Sequence, residues 1–499
     1  MKKMLSLLLA GVMLLTLASC AIESDDPVIT TAPPATGTVG EEETKDPDFA
    51  CDLPGNLDFG DTEINILYVD VDARNDELVS ERLGLGTISD AVYERNVAVE
   101  QHLKVKLCPV DINGDGEAQT KIQTLVKAGD RSIDIFNLAG WAAMPLVLSG
   151  HYLDLSRMEH VDTSKHYWSQ DFNNIATYGE ENMQFLATSP AAISLFRMAF
   201  LTIFNNELFA ERGLTSLYEV VEKGEWTMDY QYKLAANEYV DADGDGQIGE
   251  GDFYGFVTGN YISLDGYCAA ADIHISYRDE DGVRVYNGEI LEDMISLVEK
   301  VSALYNAPGS YVFDGGDKDN GLSFHIIEKF AEEESLMATA QFLSLERRIN
   351  MLADITYGIV PMPKLTVQQE NYRTYVQDQV TAFGVSAAIG DEERREVLGA
   401  VMEALAYYSN EIVRPAYYDT SMSLRFMQDP QSQEMLDMMF EVLAFDYSFY
   451  LNLCSYRDDL RAMLPAKSPN VASTMKKWEK GMKNQLMKDQ QILDKLSRD

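Results

Sequence analysis

The chain has 499 residues and carries 81 Asp and Glu against 40 Lys and Arg, a formal charge of −41. That balance excludes a general nucleic-acid binder, which needs cations to displace phosphate counterions, and broad adhesion to an anionic membrane surface. With 46% apolar and 10% aromatic residues the chain can bury a sizeable core, and its length suggests about two to three domains.

The first element is not part of the fold. Lys2 and Lys3 precede an apolar run from Leu5 to Leu17, and small residues lead to Cys20. This is the three-part pattern of a secretory signal, too short for a spanning helix. Leu17-Ala18-Ser19-Cys20 resembles a bacterial lipobox, so residues 1–19 are expected to be removed and Cys20 to carry lipid. Residues 20–50 hold Pro27, Pro33, Pro34, Pro47 and the run Glu41-Glu42-Glu43, with almost no apolar periodicity. Such a segment cannot bury enough surface to fold and reads as a tether. No later apolar run approaches the roughly 18 residues that a transmembrane helix needs. Cys51, Cys108, Cys268 and Cys454 match no metal spacing and read as buried thiols, their pairing left open.

The body alternates strand and helix. Glu63–Val69 reads as a strand and Ser89–His102 as a helix, with Thr87 and Asp90 resembling a capping box. Val105–Val110, Ala118–Ala128 and Ile133–Leu138 continue as strand, helix and strand. This β-α-β-α-β order predicts a parallel sheet whose ligands sit beyond the strand carboxyl ends, near Tyr68 and Trp141. Phe196–Phe204 is apolar, and helical patterns fill Glu207–Val240 with a break near Gly224. Ser335–Ala340, Tyr357–Val360 and Val380–Ser386 read as strands. Asp391 can cap a helix to Ser409, and Ser473–Leu496 forms a last helix with Met475, Trp478, Met482 and Leu486 on one stripe.

One loop carries explicit chemistry. Asp241, Asp243, Asp245, Gln247 through its carbonyl, and Asp252 occupy positions 1, 3, 5, 7 and 12 of a calcium loop, with Gly246 at the sharp turn and Ile248 expected to pack inward. Carboxylates this dense repel one another unless a cation joins them, so structural Ca2+ is expected. The run Asp111-Ile112-Asn113-Gly114-Asp115-Gly116 starts similarly but has Ile122 at position 12, and reads as a turn between strand and helix. There is no HExxH, GxSxG, Walker A or dinucleotide fingerprint, so no enzyme is expected.

Several stretches, in this order, carry a resemblance. They are Asp90–Asn96, Lys127-Ala128-Gly129-Asp130 with Asp134-Ile135-Phe136, Gly150–Leu155, Thr202–Asn205, Gly224-Glu225-Trp226-Thr227-Met228-Asp229, Phe253-Tyr254-Gly255, Tyr357–Lys364 and Arg414–Tyr418. From about Glu63 onward the chain resembles the family 1 extracellular solute-binding proteins of bacteria, lipoprotein receptors of ABC sugar importers. Asn206 departs from the lysine common at that place. The resemblance implies an α/β fold of two lobes joined by crossing segments, the type II periplasmic-binding-protein architecture. It places lobe one at 51–195 plus 334–386 and lobe two at 196–333 plus 387–499.

The resemblance also implies a monomeric receptor, lipid-anchored at the extracellular face, that passes a carbohydrate, expected to be an oligosaccharide, to an ABC permease. Sugars need flat aromatics for their C–H faces and polar side chains for their hydroxyls. Tyr68, Trp141, Trp168 and Tyr261 are the expected aromatics, with Asp70 and Gln341 for hydroxyls. Trp226 and Trp478 are read as core. A calcium-containing glycoside hydrolase and a ligand sensor without import are the alternative readings.

Overall fold

The computed structural model describes residues 53–313, 324–418 and 429–497. The expected signal peptide, the lipidated Cys20, the tether and Cys51 lie outside these residues. Two sheets organise the described chain. In the first, Thr62–Tyr68 lies between Val105–Asp111 and Ile135–Ala139, all three parallel, and Thr381–Val385 adds antiparallel to Ile135–Ala139. The expected β-α-β-α-β unit is thus present, with helices Thr87–Leu103 and Asp115–Ala128 between its strands.

Alternation explains how both faces of this sheet are covered. Ile64 and Ile66 share a core with Val99 and Leu103 of one helix and with Leu398, Val401 and Leu405 of the helix Glu392–Tyr408. Leu67, one residue on, points the other way and joins Ala118 and Ile122. Buried Asp134 fixes the late helix in place, accepting a fork from Arg394 at 2.9 and 2.6 Å and the Asn65 N–H at 2.8 Å.

The second sheet has six strands. Along its main path run Ser310–Phe313, Phe253–Gly259, Ser335–Gln341, Phe200–Asn205 and Tyr357–Val360, and Tyr239–Val240 pairs at the side. Every main-path strand is parallel to its neighbour except Phe200–Asn205, which is antiparallel to both of its partners. Each sheet therefore receives one antiparallel strand from a crossing segment. Where they cross, Ala199 bridges Val376 and the Gln377 N–H donates to Met198 O at 3.0 Å. The buried Glu77 carboxylate joins both segments, accepting from the Ser194 N–H at 2.7 Å and from the Thr381 hydroxyl.

Three expectations change. Ser335–Gln341 and Tyr357–Val360, placed in lobe one, pair in the second sheet, so the chain returns only at Thr381–Val385. Conversely, helix Glu392–Tyr408, placed in lobe two, packs on the first sheet. A strand's residues reveal that it is buried but not which neighbour it pairs with. Finally, Thr87 caps nothing: Gly86 holds the N-cap at φ +146°, and Asp90 accepts the N–H groups of Gly84 and Leu85 instead.

Other local readings hold. Asp391 accepts the Arg394 N–H as N-cap, and Asp111–Gly116 turns from strand into helix. Met475, Trp478, Met482, Leu486 and Leu493 are the buried stripe of helix Val471–Leu496. Trp226 is core, its indole N–H donating to Pro361 O at 2.8 Å. The expectation of buried thiols does not hold: Cys108, Cys268 and Cys454 are free thiols but only partly buried. Among the described residues no helix is long and apolar enough to cross a membrane.

Candidate ligand cleft

Three strand ends of the first sheet are held together by one carboxylate. Asp115, the first residue of its helix, takes a fork from Arg74 at 3.0 and 2.5 Å and also accepts the Ala139 N–H at 3.0 Å. Arg74 lies in the loop after Tyr68, whose carbonyl accepts the Ile112 N–H at 3.1 Å. Tyr68 and Asp70 then line one cavity of about 510 Å³ together with Arg74, Asn75, Asp76 and Glu77. Burial, then Asp111 and Asp70, push the Tyr68 phenol up, so it stays a neutral donor.

Trp141 follows directly. The Gly140 and Trp141 N–H groups donate to Val380 O at 2.8 Å and Asp378 O at 3.0 Å, locking the start of helix Gly140–Val147 onto the return strand. Position 140 must be glycine, because a Cβ there would sit 2.6 Å from the Tyr450 ring. Trp141 itself is half-buried.

The second sheet contributes from its own strand ends. Gln341 closes Ser335–Gln341 and is buried, its amide donating to Gln377 at 3.4 Å. Gln377 donates to Asp378 at 2.8 Å, and Asp378 pairs with Arg457. Burial pushes the Asp378 carboxyl up to about 6, with Arg457 opposing. Tyr261, past strand Phe253–Gly259, is 39% exposed and carries the Arg461 guanidinium 4.3 Å from its ring centroid. Arg461 in turn forks onto fully buried Asp265 at 2.7 and 2.5 Å.

Trp141, Gln341 and Tyr261 therefore belong to one connected polar wall, while Tyr68 and Asp70 stand at the neighbouring strand end. Trp168 does not join them. It is 3% exposed and its indole N–H donates to Glu403 at 3.1 Å, inside the core under the first sheet. Asp265, Gln377, Asp378, Arg457 and Arg461 were not legible as site residues. Arg457 and Arg461 sit at i, i+4 on helix Tyr456–Met463, but their partners lie 79 and 196 positions away.

No protein-family model matches the sequence, and no curated protein does. Solved structures do match in fold. A cyclo/maltodextrin-binding protein complexed with maltotetraose superposes with a TM-score of 0.54 at 12% identity, covering 85% of this chain and 97% of its own. A sugar transporter from Rhizobium etli in an open conformation gives 0.54 at 14%, covering 85% and 99%. A family 1 extracellular solute-binding protein from Bifidobacterium longum subsp. infantis gives 0.53 at 12%, covering 85% and 100%. The fold is that of the extracellular solute-binding proteins. In such α/β sheets ligands bind outside the strand carboxyl ends, and the polar wall stands at those ends.

The acidic loop lies elsewhere, between Tyr239–Val240 and the strand Phe253–Gly259. Asp241, Asp243 and Asp252 each bring a carboxylate oxygen within 4.8 Å of the others. Gly244 and Gly246 take φ of +74° and +71°, which lets the chain wrap that point. Asp245 instead accepts the Gln247 N–H at 2.7 Å. The Gly249 N–H, foremost among its donors, holds the Asp252 carboxyl below its usual range, with Tyr239 OH and the Ala242 N–H also donating. An all-oxygen, carboxylate-rich set suits a hard cation such as Ca2+. Ile248 does not pack inward; it is 67% exposed, since the loop projects from the edge of the sheet.

Proposed function

We propose that this chain is an extracellular receptor that closes over a carbohydrate and passes it unaltered to an ABC permease, its body tethered through lipid on Cys20. The observation that carries the reading is the wall at the strand carboxyl ends. Trp141 past a strand end of one sheet and the Arg461-backed Tyr261 past a strand end of the other are partly exposed rings, flat faces for sugar C–H surfaces beside fixed polar groups. Paired crossing segments offer the hinge about which two bodies close. No bond chemistry is part of this reading.

Titrating the full chain with a panel of glycans and peptides tests it. The expected result is heat from one class of oligosaccharide, with the sugar recovered intact. Binding of peptides alone would overturn the carbohydrate reading, and release of reducing ends would replace it with glycoside hydrolysis. For the sugar so identified, Trp141→Ala is expected to weaken binding by about thirtyfold, roughly 2 kcal/mol, as loss of a stacked ring at a binding hot spot does.

Calcium in the acidic loop belongs to the same proposal. Asp241, Asp243 and Asp252 would hold the ion, which would brace the edge of the second sheet rather than touch the ligand. Adding Ca2+ to the metal-free chain is expected to raise its melting temperature and to leave an Asp241→Ala, Asp245→Ala variant unmoved. An equal response to Ca2+ in both would count against the site.

A further inference from the structure

We propose that Glu159, His160 and Glu396 form a second metal site, for a zinc-class divalent cation, at the seam between the loop after Leu155–Arg157 and the helix Glu392–Tyr408. One ligating atom from each of the three side chains falls within 4.8 Å of the other two. His160 Nε2 stands 3.8 Å from Glu396 Oε1, too far for a hydrogen bond and close to the spacing of two ligands around one ion with bonds of about 2.1 Å.

Independent of that spacing, His160 Nε2 is buried and finds no hydrogen-bond partner among the described residues. A buried imidazole nitrogen without a partner is costly, and two carboxylates brought beside it repel each other. One cation answers both. The donor set, one nitrogen and two carboxylates, separates this site from the all-oxygen acidic loop and favours zinc over calcium.

The backbone holds the ligands in place. Glu159 O lies so close to the helix that a Cβ at Gly399 would sit 2.0 Å from it, so the loop is seated on the helix backbone itself. His160 takes a left-handed φ of +72°, which turns its ring toward Glu396. Glu159 and Glu396 line a cavity of about 580 Å³, room for water to complete the coordination. The arginines that line this cavity are engaged elsewhere: Arg157 pairs with Asp154 and Glu181, and Arg395 Nε donates to Ile389 O.

Metal-free full chain in the Asp241→Ala, Asp245→Ala background, which disables the acidic loop, is titrated with Zn2+ and with Co2+. The expected results are one tight equivalent of Zn2+, a rise in melting temperature, and visible d–d absorption from Co2+. His160→Asn, chosen because asparagine tolerates the left-handed backbone, is expected to lose the Co2+ bands and weaken Zn2+ at least tenfold. Its melting temperature without metal should match its parent. Glu396→Gln, which leaves the loop backbone untouched, should weaken Zn2+ likewise. No Zn2+ equivalent in the parent, or equal affinity in parent and both variants, would overturn the site.

Discussion

Replacing Arg461 with Met is expected to cost about 3–5 kcal/mol of stability, as removing one partner of a buried ion pair does. The Asp265 side chain is fully buried and that of Arg461 8% exposed, and their two hydrogen bonds measure 2.7 and 2.5 Å. Without the guanidinium, Asp265 keeps its desolvation penalty and loses its compensation; burial already pushes its carboxyl up in the native chain. The double variant Asp265→Asn, Arg461→Met removes the charge as well as its partner and should recover most of the loss. Urea unfolding of the four proteins of this cycle measures the coupling. A single variant within about 1 kcal/mol of wild type would show that the pair is not structural. The same substitution takes away the cation behind Tyr261, so under the proposed function it should also weaken binding of the carbohydrate in the double variant, where the fold is restored.

The sequence was most informative where chemistry is local. The first three strands, their two helices and the Asp391 cap follow from periodicity and a polar residue at the right offset. The placement of Trp141 past a strand end follows from the same logic. What failed was long-range pairing. Ser335–Gln341 reads as a buried strand, but nothing within it says that its neighbours are Phe200–Asn205 and Phe253–Gly259. Trp168 looks like any other tryptophan in a loop; only the fold brings Glu403, 235 positions away, against its indole. The ion pairs that back the cleft were hidden for the same reason. In a chain with 81 acids, no single aspartate stands out until its arginine partner is placed beside it.

Glu403 yields the clearest pH dependence. It is buried on helix Glu392–Tyr408 and accepts from Tyr167 OH, from the Trp168 indole at 3.1 Å and from the Asp162 N–H at 3.2 Å. Burial outweighs those three donors, the Asp162 carboxylate adds to it, and the carboxyl is pushed up from 4.5 to about 7. The native chain therefore holds a proton on Glu403 that the unfolded chain has released across the interval between those two values. Where the native state binds more protons, unfolding free energy falls as pH rises. Glu403's contribution is thus fully present below pH 4.5, declines to about pH 7 and is flat above it. A shift of that size amounts to roughly 3 kcal/mol in all. Asp378, pushed up to about 6 by its own burial, adds a slope of the same sign at the lower end of that range. Glu403→Gln keeps the shape and removes the titration, so its stability should fall less steeply between pH 4.5 and 7 while the part due to Asp378 persists. Urea unfolding at half-unit intervals from pH 4 to 8 measures both curves. Parallel curves for the two proteins would mean that Glu403 is ionised throughout, its three donors outweighing its burial.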